Sequence, residues 1–226
     1  MNSTELNRAV IIAREKTMTL VKEYKAFRRA YRELNHKIME KYLKQDQLLR
    51  SAELLGIVHR GTFVFKNEEE TDALMDFALH EYRENDKNAI ALYKEKIGGE
   101  SAMERAILNA LLSSHTSLFR ITAVLPSESI TSLRDLLSEG EPAKLLDIGL
   151  SQCATPGFML FVRLVPYKDV FITSGISFVF PPGLERSLLE KYEELCGKTE
   201  PDRLSLETFV YFFRRSREDG LRVIYQ

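Results

Sequence analysis

The chain has 226 residues, a formal net charge of −1, 44% hydrophobic residues and 29% charged residues. These values are typical of a globular protein and exclude a disordered, collagen-like or strongly polyionic chain. No apolar run approaches the roughly 20 residues of a membrane-spanning helix, and two widely separated cysteines exclude a disulfide framework. The N-terminus also lacks the pattern of a secretory signal, so we expect a cytoplasmic protein.

The small net charge hides an uneven distribution. Residues 1–50 contain 12 Lys and Arg against 6 Asp and Glu, whereas residues 51–100 contain 6 against 11. The two blocks can screen each other inside one fold, which is the interpretation that we favour. The alternative is that the basic residues 1–50 bind an anionic partner.

The first predicted element is a long helix. Apolar residues recur at steps of three and four from Leu6 to Ile38, and the first glycine of the chain is Gly56. The spacing predicts about five heptads, or about 55 Å of helix. After about residue 21 the apolar face narrows to a seam that is typical of a coiled coil with one helical partner. The seam consists of Leu20, Tyr24, Phe27, Tyr31, Leu34 and Ile38. We predict that it forms a partner interface, either in a homo-oligomer or with another protein, although pairing within the chain remains open.

A second helix is predicted over residues 45–55 and ends at Gly56, which is suited to a helix C-cap. Residues 57–65 are rich in β-formers around a glycine and predict a small hairpin. Three short helices follow between about residues 67 and 112. The N-terminal half is therefore predicted to be mainly helical.

Five short strands are predicted next, over residues 118–124, 130–137, 144–148, 158–165 and 170–180. The gaps are too short for crossover helices, so we expect a small antiparallel barrel or curled sheet. Helices over residues 183–196 and 205–217 close the chain, and residues 221–226 could add an edge strand. The predicted fold class is α+β, divided into residues 1–114, 115–182 and 183–226.

Several segments of this β-rich region carry a resemblance. They are Ser117-Leu118-Phe119, Leu133-Arg134-Asp135-Leu136-Leu137, Asp147-Ile148-Gly149-Leu150-Ser151, Pro156-Gly157, Arg163-Leu164-Val165-Pro166 and Thr173-Ser174-Gly175. In this order, residues 117–180 resemble a β-rich module of uncharacterised bacterial proteins, and residues 54–82 fit its upstream part loosely. Some of those proteins also carry a Cys/His zinc knuckle, which this sequence lacks. The resemblance therefore implies a β-rich fold and no zinc, cofactor or activity.

Enzymatic motifs are absent from the sequence. It has no G-x-S-x-G sequence and no glycine-rich phosphate loop, and nothing implies a cofactor. Asp72, Asp76 and His80 share one helix face, which we interpret as an exposed acidic face rather than a metal site, because two or three such ligands on one helix make an incomplete site. A hydrolase or metal enzyme whose residues are scattered along the chain remains a second alternative.

The function that these features favour is a non-enzymatic interaction or adaptor protein that acts through its first helix. The first alternative is a nucleic-acid-binding regulator. It would use Arg28, Arg29 and Arg32 beside the seam, together with Arg60 at the tip of the hairpin, because exposed bases contact phosphates. Neither function involves a membrane.

Overall fold

The computed structural model describes residues 3–221 of the chain and, from Leu20 onward, their side chains. The helices are α1 Ser3–Tyr42, α2 Gln45–Leu55, α3 Glu69–His80, α4 Ala89–Lys96, α5 Ala102–Leu112, α6 Leu150–Cys153, α7 Glu185–Lys198 and α8 Pro201–Asp219. The strands are β1 Val58–His59, β2 Thr62–Phe63, β3 His115–Leu125, β4 Ile130–Asp135, β5 Ala143–Leu146, β6 Met159–Tyr167 and β7 Val170–Phe180. This arrangement confirms the predicted α+β class with a long first helix, a small barrel and C-terminal helices.

Local sequence signals explain most element boundaries. Gly56 ends α2 with a left-handed φ of 78°, which a residue without a Cβ adopts at little cost. Asn88 and Ser101 start α4 and α5, and each side chain accepts a hydrogen bond from the backbone N–H three residues on. The β1–β2 hairpin turns through Arg60 and Gly61, both of which have positive φ.

Strands β3 to β7 form a closed barrel in the order β3-β4-β5-β7-β6. Four neighbouring pairs are antiparallel, whereas β5 and β7 run parallel and are joined through Leu145 and Phe171. The sequence prediction of a wholly antiparallel module missed this pair. The long β6–β7 hairpin lets β7 reach β5 in a parallel direction without a crossover helix. The connectivity is that of a five-stranded Greek-key barrel of the OB-fold type.

Alternate residues of the strands fill the barrel or face the helices around it. Leu133, Leu145, Leu160, Val162 and Leu164 are among the side chains that form the barrel interior. One outer layer packs α1, α4 and α5 against the barrel, and a second packs α2, α3, α7 and α8 against its other side. Helices and the outer faces of strands therefore share two core clusters.

Of the predicted C-terminal edge strand, residues 221–226, the structure describes only the first residue. Leu221 forms an antiparallel bridge with Val179, and its backbone N–H donates to the Val179 carbonyl at 2.8 Å. Residues 222–226 lie outside the described residues.

Candidate functional site

The apolar seam of α1 lies inside the molecule. Tyr24, Phe27, Tyr31, Leu34 and Ile38 are all buried, and Leu20 is partly buried against the same cluster. The Phe27 ring lies 4.8 Å from the ring of Tyr167 in β6. The barrel, α4 and α5 of the same chain cover these side chains, which is the pairing within the chain that the sequence left open beside a partner interface. A single helical partner was expected because a sequence pattern cannot show that a sheet lies opposite the helix.

The opposite face of α1 carries a row of cations. Lys22, Lys25, Arg29 and Arg32 are exposed and follow one another at steps of three, four and three residues. This spacing places them on one side of the helix, about 180° from the seam. None of the four forms an ion pair or hydrogen bond with any residue whose side chain the structure describes. We call this row the basic face of α1.

The other two bases of the predicted nucleic-acid site lie elsewhere. Arg28 turns toward the barrel, donates to the Thr173 carbonyl at 2.6 Å and packs over the ring of Tyr31. Arg60 sits at the tip of the β1–β2 hairpin, which is held to α8 where Arg217 donates to the Val64 carbonyl. Of the four predicted bases, Arg29 and Arg32 therefore lie on the basic face. Arg28 lies between α1 and the barrel, and Arg60 lies on the β1–β2 hairpin.

The barrel surface that OB-folds use for oligonucleotides is partly covered. That surface comprises the middle strands and two adjoining loops, here β4, β5 and the loops before β4 and β7. Ile130 and Leu146, a cross-strand pair that faces outward from β4 and β5, belong to the core beneath α1. Further along, the exposed residues of these strands are Arg134 and Lys144, with no aromatic side chain on which a base could stack.

A buried ionic cluster joins α3 to β6. Arg163 is the charged residue in the otherwise apolar outward row of β6, and only 4% of it is exposed. Its Nε lies 3.2 Å from Asp76 Oδ2, and its Nη2 lies 2.5 Å from Glu81 Oε1. The hydroxyl of Ser205 in α8 donates to the other Glu81 oxygen at 2.5 Å. The cluster therefore connects three elements that the sequence places far apart.

Two members of this cluster correct a sequence prediction. The sequence predicts an exposed acidic face that includes Asp76 and His80, but both are buried and only Asp72 is exposed. His80 Nε2 lies 3.8 Å from Asp76 Oδ1, which is too far for a hydrogen bond. The signal that could have revealed the cluster was the single arginine within an apolar strand, because a buried guanidinium requires acidic partners.

Burial and charge set the protonation of the cluster. Burial, reinforced by Arg163, lowers the pKa of His80 well below its usual value, so the ring is neutral at pH 7. Burial alone would raise the pKa of Glu81, but Arg163 and the Ser205 hydroxyl outweigh it and lower that pKa. Burial and the nearby Asp76 raise the pKa of Tyr31 to about 12.

A pocket of about 360 Å³ opens beside this cluster. The C-terminal ends of α3 and α5, the start of α4 and the beginning of β3 form its walls. Its polar lining residues are His80, Glu81, Arg83, Asp86, Asn88, Ser114, His115, Thr116, Arg163 and Ser205. It is therefore a polar pocket whose floor is a buried ion pair.

An apolar patch is exposed on the β1–β2 hairpin. Phe63, Val64 and Phe65 are 40%, 48% and 37% exposed, and the two phenylalanine rings stack 6.0 Å apart. Three consecutive exposed apolar residues are unusual on a soluble surface unless something covers them. We call these three residues the hairpin patch.

Within residues 3–221, no helix is both long and apolar enough to cross a membrane. The described part of the chain also contains no group of three or more His, Cys, Asp or Glu side chains arranged to hold a metal ion.

The fold and these surfaces define an α+β protein with a helix-wrapped five-stranded barrel. Residues 18–226 match a family of unknown function, DUF7986, and the chain belongs to that family. No curated protein and no solved structure matches the chain. The resemblance of residues 117–180 to a β-rich module stays a prediction.

Proposed function

We propose that this protein is a non-enzymatic nucleic-acid-binding protein and that the basic face of α1 contacts the phosphate backbone. The single observation that carries the proposal is the row of Lys22, Lys25, Arg29 and Arg32, exposed and without ion-pair partners among the described side chains. Other exposed bases have an acidic neighbour, as Lys37 has in Glu104 at 2.6 Å and Lys168 has in Glu23. Cations without such neighbours are available to an anionic partner.

The geometry of the row suits a polyanion. From Lys22 to Arg32 it extends over about 15 Å of helix, since each residue rises about 1.5 Å. Phosphates follow one another at about 3.4 Å per base pair along each strand, so a helix beside a groove can reach several of them. The helix is held rigidly for this role, because its other face is built into the core against β6.

A duplex is the form of nucleic acid that this surface favours. Binding to single strands usually relies on aromatic side chains on which bases stack. The aromatic residues Tyr24, Phe27 and Tyr31 are buried on the other side of α1, and the exposed part of β4 and β5 contributes Arg134 and Lys144 without a ring. We therefore expect backbone contacts with little preference for base sequence.

The direct test is fluorescence anisotropy with a labelled duplex of about 20 base pairs at about 50 mM salt, where phosphate contacts are strong. We expect the wild-type protein to bind. Replacing Lys25, Arg29 and Arg32 by Gln removes three of the four cations and should weaken binding on the order of 100-fold.

The matched control is a triple variant, Lys96→Gln with Lys191→Gln and Lys198→Gln, which removes the same number of exposed charges from α4 and α7. It should bind nearly as well as the wild type. Equal losses in both variants would show a diffuse charge effect, and no duplex binding by the wild type would contradict the proposal. Tighter binding to a single strand than to a duplex would contradict the proposed mode.

A second candidate function, self-association, is favoured by the hairpin patch. Strand β2 pairs only with β1 among the described strands, so the outer edge of this small sheet is free to pair with a second copy. Two copies joined there would cover the stacked rings of Phe63 and Phe65. This site would replace the α1 seam as the interface of a homo-oligomer.

Mass in solution tests this second candidate. Phe63→Ser with Phe65→Ser should convert a wild-type dimer into a monomer that stays folded, as judged by circular dichroism, because both rings are already partly exposed. Leu49→Ser, at an exposed apolar residue of α2, is the control and should leave the mass unchanged. A monomeric wild type at high micromolar concentration would exclude the dimer.

A further inference from the structure

We propose that the pocket at the ends of α3 and α5 binds a small molecule that carries a protonated amine. The pocket lies on different elements from the basic face of α1, so this inference is independent of nucleic-acid binding. It follows from the charge of the pocket floor, the helix ends around it and the unpartnered polar atoms in its wall.

The buried ionic cluster beside the pocket has fewer positive than negative groups. Glu81 and Arg163 line the pocket, and Asp76, which does not line it, shares the single guanidinium of Arg163 with Glu81. His80 does not supply the missing charge, because burial keeps its imidazole neutral. A buried charge without full compensation is costly, and a cation that enters beside it gains the corresponding attraction.

Two helix ends add to this negative potential. Helix α3 ends at His80 and α5 ends at Leu112, and both ends contribute residues to the pocket. Helix C-termini favour cations because the negative end of the helix dipole lies there. The His80 carbonyl already accepts from the Asn88 side chain and the Leu111 carbonyl from Ser114, so the dipole and not a free carbonyl supplies this attraction. The start of α4 also faces the pocket, but the Asn88 side chain already accepts from the Ala91 N–H, so this positive end is partly satisfied.

Polar atoms in the wall lack partners. His80 lines the pocket with 5% of its surface exposed, and neither its Nε2 nor Thr116 Oγ1 has a hydrogen-bond partner. A hydroxyl oxygen can accept a hydrogen bond from an ammonium group, which has three N–H donors, and so can the His80 Nε2 when the ring proton is on Nδ1. A volume of about 360 Å³ is within the range of small-molecule sites.

Three probes of similar size separate charge from shape: n-butylamine, n-butanol and n-butyrate. Each would be titrated at millimolar concentration into the isotopically labelled protein, and the chemical shifts of the Asn88 side-chain amide and the His115 ring would be followed. We expect butylamine alone to produce saturable shifts at these two residues. Saturable shifts with butyrate, or none with butylamine, would overturn the proposal.

Variants of two exposed lining residues, Asp86 and Arg83, should change butylamine affinity in opposite directions. Asp86→Asn removes a negative charge and keeps a residue that tolerates the positive φ of 63°, so it should weaken butylamine binding about fivefold. Arg83→Gln removes a positive charge and should strengthen butylamine binding by a similar factor of about five. The reverse order would identify an anion site and contradict the inference. The variant with Lys25, Arg29 and Arg32 replaced should bind butylamine as the wild type does, so failure of either proposal can be distinguished.

Discussion

The two long faces of α1 show how one helix can serve stability and binding separately. On one face, Tyr24, Phe27 and Tyr31 are buried against the barrel and neighbouring helices. On the other, Arg29 and Arg32 are exposed and contact no described acidic side chain. Substitutions on the first face should therefore change folding, and substitutions on the second should change binding alone.

The largest expected effect is on the buried face. Phe27→Asp places a carboxylate in the core beside Tyr167 and should lower the free energy of unfolding by more than about 4 kcal/mol. The control on the exposed face, Arg29→Asp, should change it by less than about 0.5 kcal/mol. Urea denaturation followed by circular dichroism measures both. Equal stability of the two variants would show that the seam is not part of the core.

Substitution in the buried ionic cluster should lower the free energy of unfolding nearly as much. Arg163→Met leaves the carboxylates of Asp76 and Glu81 buried without their cation and should cost about 3–5 kcal/mol. The triple variant that adds Asp76→Asn and Glu81→Gln removes the unpaired charges and should recover most of this loss. Urea denaturation of the three proteins measures the effect, and a single variant as stable as the wild type would contradict the described pairing.

A smaller effect is expected from His80 as the pH changes. Its folded pKa is lowered, so below about pH 6.5 the unfolded chain binds a proton that the folded protein does not. Stability should therefore decrease as the pH falls from 7 toward 5, by up to about 1.4 kcal/mol per pH unit from this group. Glu81 also has a lowered pKa, but its contribution is lost only at more acidic pH, below its unfolded value.

Comparison with His80→Gln isolates that contribution. The variant removes the titrating ring, so the free energy of unfolding should vary less between pH 7 and 5 than in the wild type. Parallel pH profiles of the two proteins would show that His80 is not responsible.

The smallest expected effect is the change in duplex affinity when Glu33 is replaced. This exposed carboxylate lies one helical turn after Arg29 and is the acidic residue nearest to the middle of the basic face. Glu33→Gln should tighten duplex binding by about two- to fivefold, because it removes repulsion of the phosphates. Anisotropy at constant salt measures the change, and weaker binding would place the contact on another surface.

Much of the fold follows from local signals in the sequence. The three-four spacing predicts α1, Gly56 and Ser101 mark helix ends, and turn residues separate the barrel strands. What covers the seam could not be predicted, because a narrow apolar stripe is the same whether a helix or a barrel lies opposite. The parallel pairing of β5 with β7 also depends on barrel closure, which no local pattern encodes.

The candidate sites were predicted less completely. The helical spacing predicts Arg28, Arg29 and Arg32 beside the seam; Arg29 and Arg32 are exposed, whereas Arg28 donates a hydrogen bond to the Thr173 carbonyl. The Arg163 cluster joins residues more than 80 positions apart, so only the isolated charge in an apolar strand hinted at it. Sites built by tertiary contacts leave few traces in one sequence.

The central claim is that the basic face of α1 contacts phosphates, and the salt dependence of duplex affinity tests it most directly. The logarithm of the association constant should fall linearly with the logarithm of salt concentration, with a slope of about −3 to −4 for four cations. Arg29→Gln with Arg32→Gln should reduce the magnitude of that slope by about 2. A slope that is the same in the wild type and this variant would contradict the claim.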